Sequence, residues 1–397
     1  MVGASLAVAL AGSGISTMLV EGTAPGSTAQ PSFDDRTTAL GNASRRIFQG
    51  LGVWEHLASE AAAIHTIHVS DAGRFGFARL SAKEQGVEAF GYVIPNRVIG
   101  AALWQKLQQS KDVLLRVPAR PEQVEISDSG VTFSLPSESV SARLVVAADG
   151  AHSVVRATAR IEADVEDYDQ IAIVANVAAD RPHDGTAYER FTQSGPLAVL
   201  PLHDGSYGVI WTCRPERAAE VLSFDDATYL RELQERFGWR AGRFVRAGVR
   251  ASYPLKLTRA ATTVAPRTVL IGNAAQALHP VAGQGFNLGL RDAAMLAEVV
   301  AGAHGEDVGS AELLNRFAAW RAGDRAGVVR FTDGLVKLFG DPRPGVGLLR
   351  NLGLLLFDLS PPAKSALARV SAGFAGPTPR LARGLSLRQQ SAQTPTP

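Results

Sequence analysis

Residues 267–293, RTVLIGNAAQALHPVAGQGFNLGLRDA, hold the densest set of chemically useful residue types in the chain. The run at 268–271 reads as a buried strand. Gly272 opens a turn, an irregular Gly/Pro loop follows, and a helix is expected from near Asn287. A strand feeding a glycine-rich loop and a helix N-terminus suits an anionic or electron-rich ligand, because loop amides point at it and the helix dipole favours negative charge. Gly283, Gly285 and Gly289 let backbone approach a flat ligand where a Cβ would clash. The bland alternative is a glycine-rich loop with no ligand. His279-Pro280 offers an acid/base group in the loop, although a structural histidine is the better reading.

Two more strand ends carry acids. The apolar run at 143–148 (RLVVAA) reads as a buried parallel strand and ends in Asp149-Gly150, with Ser153 and Arg156 behind it. Alone, that pair fits a strand-end turn as well as a ligand site. At the start, MVGASLAVAL reads as a small-residue helix, and a strand at 15–20 follows it and ends at Glu21. A helix and then a strand ending in an acid is the second half of a dinucleotide-binding unit, in which the acid holds the adenosine ribose. Gly3 fits the last glycine of G-x-G-x-x-G; an ordinary surface acid is the alternative for Glu21. The first strand and phosphate loop of such a unit are not in the sequence, so Met1 is expected to be an internal methionine of a longer segment.

These elements need positioning. Residues 34–54 read as a loop and then a helix, with Ile47, Phe48, Leu51 and Trp54 at core spacing. Residues 124–135 read as a hairpin with an Asp-Ser-Gly turn. Short strands at 170–177, 187–191, 197–202 and 207–213, separated by turn residues, predict an antiparallel sheet, and a helix follows at 229–237. Two strand-loop-helix elements thus flank an antiparallel insert, which implies a discontinuous cofactor domain, a capping sheet and a cleft between them. Phe191, Leu200, Pro201 and Trp211 are candidate cleft walls, with ordinary core the competing reading. Beyond about residue 303 the pattern is helical.

The chain has 397 residues, 46% of them hydrophobic, enough for two domains. Its net charge of +2 does not argue for nucleic acid. The single cysteine, Cys213, excludes an internal disulfide and suits a reducing cytoplasm. The apolar stretch 346–359 is interrupted by Arg350, Asn351 and Asp358, and is too short to span a bilayer. No signal peptide, repeat or metal site is expected. Residues 379–397, rich in Pro, Ser and Gln without acids, are expected to be a disordered tail.

Glu21, DDRTTAL (34–40), VVAADGAHSVVR (145–156) and IGNAAQALHPVAGQGFNLGLRD (271–292) fall in an order that resembles the FAD-dependent aromatic hydroxylases of the para-hydroxybenzoate hydroxylase type. Residues 271–292 are most similar to the ubiquinone-biosynthesis branch, in particular the 2-polyprenyl-6-methoxyphenol hydroxylase group. The resemblance covers about residues 1–340. It implies an α/β fold: a Rossmann-like, GR2-type FAD-binding domain (1–160 and 262–340), an inserted antiparallel β-sheet substrate domain (161–261) and C-terminal helices (341–378).

The resemblance also implies residue roles. Glu21 would bind the adenosine ribose, Arg36 the pyrophosphate region, and Asn96 with Arg97 the ribityl-pyrophosphate part. Asp149 and Gly150 match the family's Asp-Gly motif for FAD and NAD(P)H. Gly272 and Asn273 match its Gly-Asp motif, with Asn replacing Asp as in the ubiquinone branch. Gly283, Gln284, Gly285, Phe286 and Asn287 would present amides to the flavin edge that becomes negative on reduction. His279 and Pro280 are the weak catalytic candidates. The implied reaction hydroxylates a polyprenyl phenol with NAD(P)H and O2. Another aromatic substrate, or a flavin-poor scaffold role in a ubiquinone-biosynthesis complex, are the rivals. Residues 345–357 would pack on the cofactor domain or, given a polyprenyl substrate, touch the inner membrane surface.

Overall fold

Short apolar helices and strands alternate through the first part of the chain. The computed structural model describes residues 1–27, 36–303, 305–341, 343–374 and 376–387. Helix α1 (Val2–Leu10) leads into strand β1 (Thr17–Val20), and β2 (Thr37–Gly41) runs directly into α2 (Asn42–Gly50). Asp34 and Asp35 lie outside the described residues. Strands β3 (Ala62–Ile64), β4 (Thr66–Asp71), β5 (Phe77–Ser81) and β6 (Gly91–Pro95) precede α3 (Asn96–Gln109) and β7 (Val113–Arg116). A meander of β8 (Gln123–Ile126), β9 (Val131–Leu135) and β10 (Glu138–Ala142) leads to β11 (Val145–Ala147) and α4 (Val154–Thr158).

The pattern then becomes long and antiparallel: β12 (Ala163–Ala179), β13 (Thr186–Thr192), β14 (Gly195–Pro201) and β15 (Tyr207–Cys213). Helices α5 (Pro215–Ser223) and α6 (Asp226–Phe237) cover one face of this sheet, and Tyr229, Leu233 and Phe237 join Trp211 and Val209 in one core. Strands β16 (Phe244–Ala247), β17 (Ala251–Ala260), β18 (Val264–Ala265), β19 (Thr268–Leu270) and β20 (Gln276–Ala277) bring the chain back to the first part. Helices α7 (Gln284–Ala301), α8 (Ala311–Gly340), α9 (Pro344–Asp358) and α10 (Pro361–Ser371) complete it.

Strands β1 and β7 pair in parallel, as do β11 and β19, with Val145 opposite Thr268. Apolar residues of β11 and β19 pack with α1, α7 and α8, and those of β1 and β7 pack with α1 and α3. The large sheet has nine strands, and it differs from the expected insert. Its edge is the β4–β5 hairpin, with β4 parallel to β13 (Thr66 opposite Thr186), and β20 joins its far side. The sheet therefore draws on residues outside 161–261. A short pairing segment separated from its sheet by more than a hundred residues leaves no local periodicity that points to its partner.

Two expectations near the C-terminus and the loop need correction. Leu381–Arg383 forms a turn of 3-10 helix, and Leu381 and Ala382 are buried against α2 and its neighbours. Apolar burial thus orders residues 379–387, despite their polar composition; residues 388–397 lie outside the described residues. Helix α7 begins at Gln284, three positions before the expected start, because left-handed Gly283 is its N-cap. Among the described residues, no helix is long and apolar enough to cross a membrane.

Candidate active site

Glu21, Asp149-Gly150 and Gly272 each lie just past the carboxyl end of a parallel strand: β1, β11 and β19 respectively. Open α/β sheets bind ligands in the crevice at that end. Glu21 Oε1 accepts the Thr23 N–H at 3.0 Å. Asp149 Oδ2 accepts the Val154 N–H at 2.9 Å and so caps the first turn of α4, while Gly150 adopts φ +91. Arg156 ties two of these loops together. It donates to Ala151 O at 2.7 Å and to Ala274 O at 2.9 Å.

The glycines here are packing devices. A Cβ at Gly289 would sit 2.9 Å from Val2 and 3.0 Å from Gly272 Cα, and one at Gly3 would sit 3.0 Å from the Ala148 Cβ. Backbone therefore meets backbone where α1, α7 and the turn after β19 converge. Asn273 is exposed on that turn, while Gly272, at φ +57, is buried.

The second half forms around β2. Asn287 is 3% exposed and its amide is fully used. Its Oδ1 accepts from Gly41 N at 2.9 Å and Ser44 Oγ at 2.6 Å, and its Nδ2 donates to Ala39 O and Gly283 O, both at 2.7 Å. Its side chain thus locks the loop to β2 and leaves only its backbone for a ligand. Buried Asn96 accepts from Thr38 Oγ1 at 2.6 Å, and its N–H donates to Arg36 O at 2.8 Å. The Arg36 guanidinium stacks on Tyr253 at 4.5 Å, and Arg97 is exposed at the start of α3. Gly283 (φ +60) would bring a Cβ to 3.2 Å from Ala39, whereas Gly285 faces open space. The N-terminus of α7 has no side-chain cap, so its first amides remain available for a ligand. Gln284 Oε1 is buried without a hydrogen-bond partner among the described residues. The Phe286 ring stacks on Phe48 at 6.2 Å and belongs to the core.

Behind the loop is a buried polar network that sequence reasoning does not assign. Asp292 Oδ1 accepts from Arg321 Nε at 2.7 Å; its Oδ2 accepts from Gln276 Nε2 at 2.8 Å and from Gly272 N at 3.4 Å. Arg325 donates to Ala260 O and Ala275 O, at 3.1 and 3.0 Å. Burial opposes ionisation of Asp324, yet Arg291 and Arg321 hold its carboxyl below the usual range. The pairing of α7 with α8 fixes the Gly272 turn through these groups. Only the letters LRD hint at it, since Arg321 and Arg325 lie far along the chain.

On the sheet side, His279 is 1% exposed. Its Nδ1 accepts the Val281 N–H at 3.2 Å, which makes Nε2 the protonated nitrogen, directed at Gln170 Oε1 at 3.2 Å. Burial pushes its pKa down to about 4. A neutral imidazole with both nitrogens occupied is a structural group, not a proton acceptor. Pro280 caps the short turn Val281–Gly283. Ala282 holds a left-handed conformation (φ 59), and its N–H meets the Glu189 carboxyl from β13. Burial raises that carboxyl to about 7, and the Ala282 N–H works against the rise. Sequence reasoning misses Glu189, whose only signal is an acid inside an apolar-alternating strand.

Phe191 stacks on Phe339 with centroids 3.6 Å apart, and both pack on Val281. Beside them opens a cleft of about 170 Å³ whose wall mixes Tyr168, Phe191 and Phe339 with polar Asp169, Gln193 and Arg214. Of the other wall candidates, Trp211 is buried under α6, and Leu200 packs in the core beside β2 and β6. Cys213 is buried, and burial raises its thiol to about 11, so it is unreactive.

Left-handed glycines, uncapped amides at a helix start and an orphaned buried acceptor fit a flat, hydrogen-bonding cofactor such as the FAD isoalloxazine. Fold and site together define an FAD-dependent monooxygenase. Residues 1–332 match the family described as FAD binding domain, and the chain belongs to it. It is 36% identical over 394 residues to ubiquinone hydroxylase UbiL of Rhodospirillum rubrum, covering 98% of this chain and 91% of that protein. It is 32% identical to 3-demethoxyubiquinol 3-hydroxylase of Escherichia coli, covering 89% and 92%. Among solved structures it superposes on p-nitrophenol 4-monooxygenase PnpA of Pseudomonas putida with a TM-score of 0.77, at 19% identity over 94% of this chain and 96% of that one.

Proposed function

We propose that this protein hydroxylates the ring of a polyprenyl phenol in ubiquinone biosynthesis, consuming NAD(P)H and O2. Near-full-length similarity to ubiquinone ring hydroxylases carries the reading. The uncapped amides at Gly283–Asn287, beside a loop that packs on Phe191 and Phe339 through Val281, support it. Residues 1–160 and 262–340 supply the cofactor half, with the β4–β5 hairpin given to the substrate sheet.

In this reading Glu21 holds the adenosine ribose and Arg36 the pyrophosphate. Asn96 and Arg97 hold the ribityl-pyrophosphate part, Asp149-Gly150 and Gly3 line its crevice, and Gly272-Asn273 meets a ribityl hydroxyl. The amides of Gly283, Gln284, Gly285, Phe286 and Asn287 stabilise negative charge at the ring edge. Bound FAD supplies hydride acceptance from NAD(P)H and oxygen activation. The chain's own work is different. Phe191, Val281 and Phe339 keep water from the reacting ring. Glu189, with a pKa near neutrality, takes the phenol proton, which makes the ring more electron-rich. Helix α9 rests on the cytoplasmic surface of the inner membrane, where a polyprenyl substrate partitions.

The test is turnover by the FAD-loaded protein. NAD(P)H oxidation should be stimulated by a polyprenyl phenol more than by its tail-less analogue, with a product heavier by one oxygen atom. Stimulation by the tail-less phenol alone would move the protein to another aromatic substrate.

A further inference from the structure

We propose that the cleft between the β4–β5 turn and α9, lined by Arg74, Arg190 and Arg240, binds the phosphate headgroup of an anionic phospholipid when α9 lies on a bilayer. This rests on the membrane reading of α9 and adds a lipid-selective site to it. The cleft measures about 460 Å³, and Phe75, Leu348 and Asn351 complete its wall.

Its charge is unbalanced. The nearby carboxylate, Asp71, is already used: its Oδ2 accepts from Arg350 Nη2 at 2.6 Å, Arg350 Nε at 3.0 Å and Asn351 Nδ2 at 2.9 Å. Arg74 reaches it only at 3.8 Å. Among the described residues, Arg190 and Arg240 form no salt bridge. Arg190 is held in place by donating to Arg236 O at 2.9 Å. Burial, and then Arg240, hold its pKa below the usual value. His68, two residues before Ser70 on β4, is pushed down to about 4 by burial and then by Arg240 and Arg79. Three guanidinium groups that share one carboxylate, itself already bonded to Arg350, leave an excess of positive charge at the mouth of a cleft that matches a phosphate, which they bind through paired N–H donors.

The neighbouring surface says which phosphate. Leu348, Leu352, Leu356 and Leu359 recur at helical spacing on one face of α9, and Leu356 and Leu359 are 69% and 76% exposed. Leu349 and Phe75 extend the patch beside the cleft, at 71% and 57%. Leu348 belongs to both the patch and the cleft wall. The buried Asp71–Arg350–Asn351 cluster anchors the opposite side of α9, so the leucines are presented rather than free to fold inward. Along this stretch Arg343 pairs with Asp341, Arg350 with Asp71 and Lys364 with Asp358, so the positive charge beside the leucines comes from the arginines of the cleft. An apolar helix face bordered by cations suits an anionic bilayer better than a second copy of the same cationic face.

The test is vesicle flotation of the FAD-loaded protein. Wild type should float with vesicles containing phosphatidylglycerol and roughly tenfold less with pure phosphatidylcholine. Arg74→Glu with Arg240→Glu should remove that preference while flavin content and melting temperature stay unchanged. Leu349→Asp with Leu356→Asp should abolish flotation with both. Equal flotation of wild type with both lipids, or undiminished binding by the arginine variant, would overturn the headgroup site but leave the membrane reading. No flotation at all, or leucine-dependent dimers in sedimentation, would overturn the membrane reading itself.

Discussion

Gly283 shows how much of the proposed cofactor cradle depends on one missing atom. At φ +60, and with Ala39 3.2 Å from where a Cβ would lie, Gly283→Ala meets both backbone strain and a contact. A left-handed alanine costs about 1–2 kcal/mol, so FAD affinity should fall about tenfold by fluorescence titration. Unchanged affinity would mean that the loop is not the cradle. Two titrating groups have opposite signs. The His279 pKa, normally 6.5, is pushed down to about 4 by burial, so the folded state holds fewer protons than the unfolded chain between those values. Its stabilisation is complete above about pH 6.5 and is lost as pH falls towards 4. His279→Asn, which keeps an acceptor for Val281, should flatten the acid side of the melting curve; parallel curves would contradict it. Glu189 is raised to about 7, so its stabilising contribution is present below about 4.5 and lost as pH rises through 7. Turnover should rise over that same upper range, as the carboxylate forms, and Glu189→Gln should be slow and lack the step. A rate that rises identically in both would free Glu189 of any proton transfer.

Helix α7 shows what an element demands beyond its own sequence. Its start is fixed by left-handed Gly283 and by the Asn287 amide bound to β2, and its middle by Asp292 reaching α8. Asp292→Asn removes the charge facing a buried Arg321 and should cost about 3 kcal/mol, read as a lower denaturant midpoint with reduced flavin content. A shift smaller than that of an exposed control such as Asp164→Asn would contradict the role given to the network. The strand before Gly272, the buried strand at Val145–Ala147 and the antiparallel run after Gln170 were all legible, because hydrophobic period and turn residues are local signals. The β4–β5 edge, the Arg321 network and the Glu189 contact were not. Each depends on pairing across long sequence separation, where a single chain carries no pattern. The 379–387 segment misleads in the other direction: polar composition masks Leu381 and Ala382, its buried anchors.

At the scale of the molecule, the loop between β19 and α7 links the parallel pairs to the nine-stranded sheet, which it joins through β20. The parallel pairs present Glu21, Asp149 and Gly272 at their carboxyl ends, and the nine-stranded sheet presents Glu189 and Phe191 to the 281–283 turn. The glycine motifs stood out in the sequence because close backbone packing at Gly3, Gly272 and Gly289 excludes a Cβ. The substrate half left a fainter trace, because an apolar cleft is built from the same residues as ordinary core. In the proposed reaction this architecture inserts one oxygen atom from O2 into a polyprenyl phenol. The direct measurement is mass spectrometry of the product formed by the FAD-loaded protein with NAD(P)H under ¹⁸O2. One labelled oxygen on the ring is expected, coupled to NAD(P)H consumption. Oxidation of NAD(P)H that yields only hydrogen peroxide with every polyprenyl phenol tried, or label that comes from water, would contradict it.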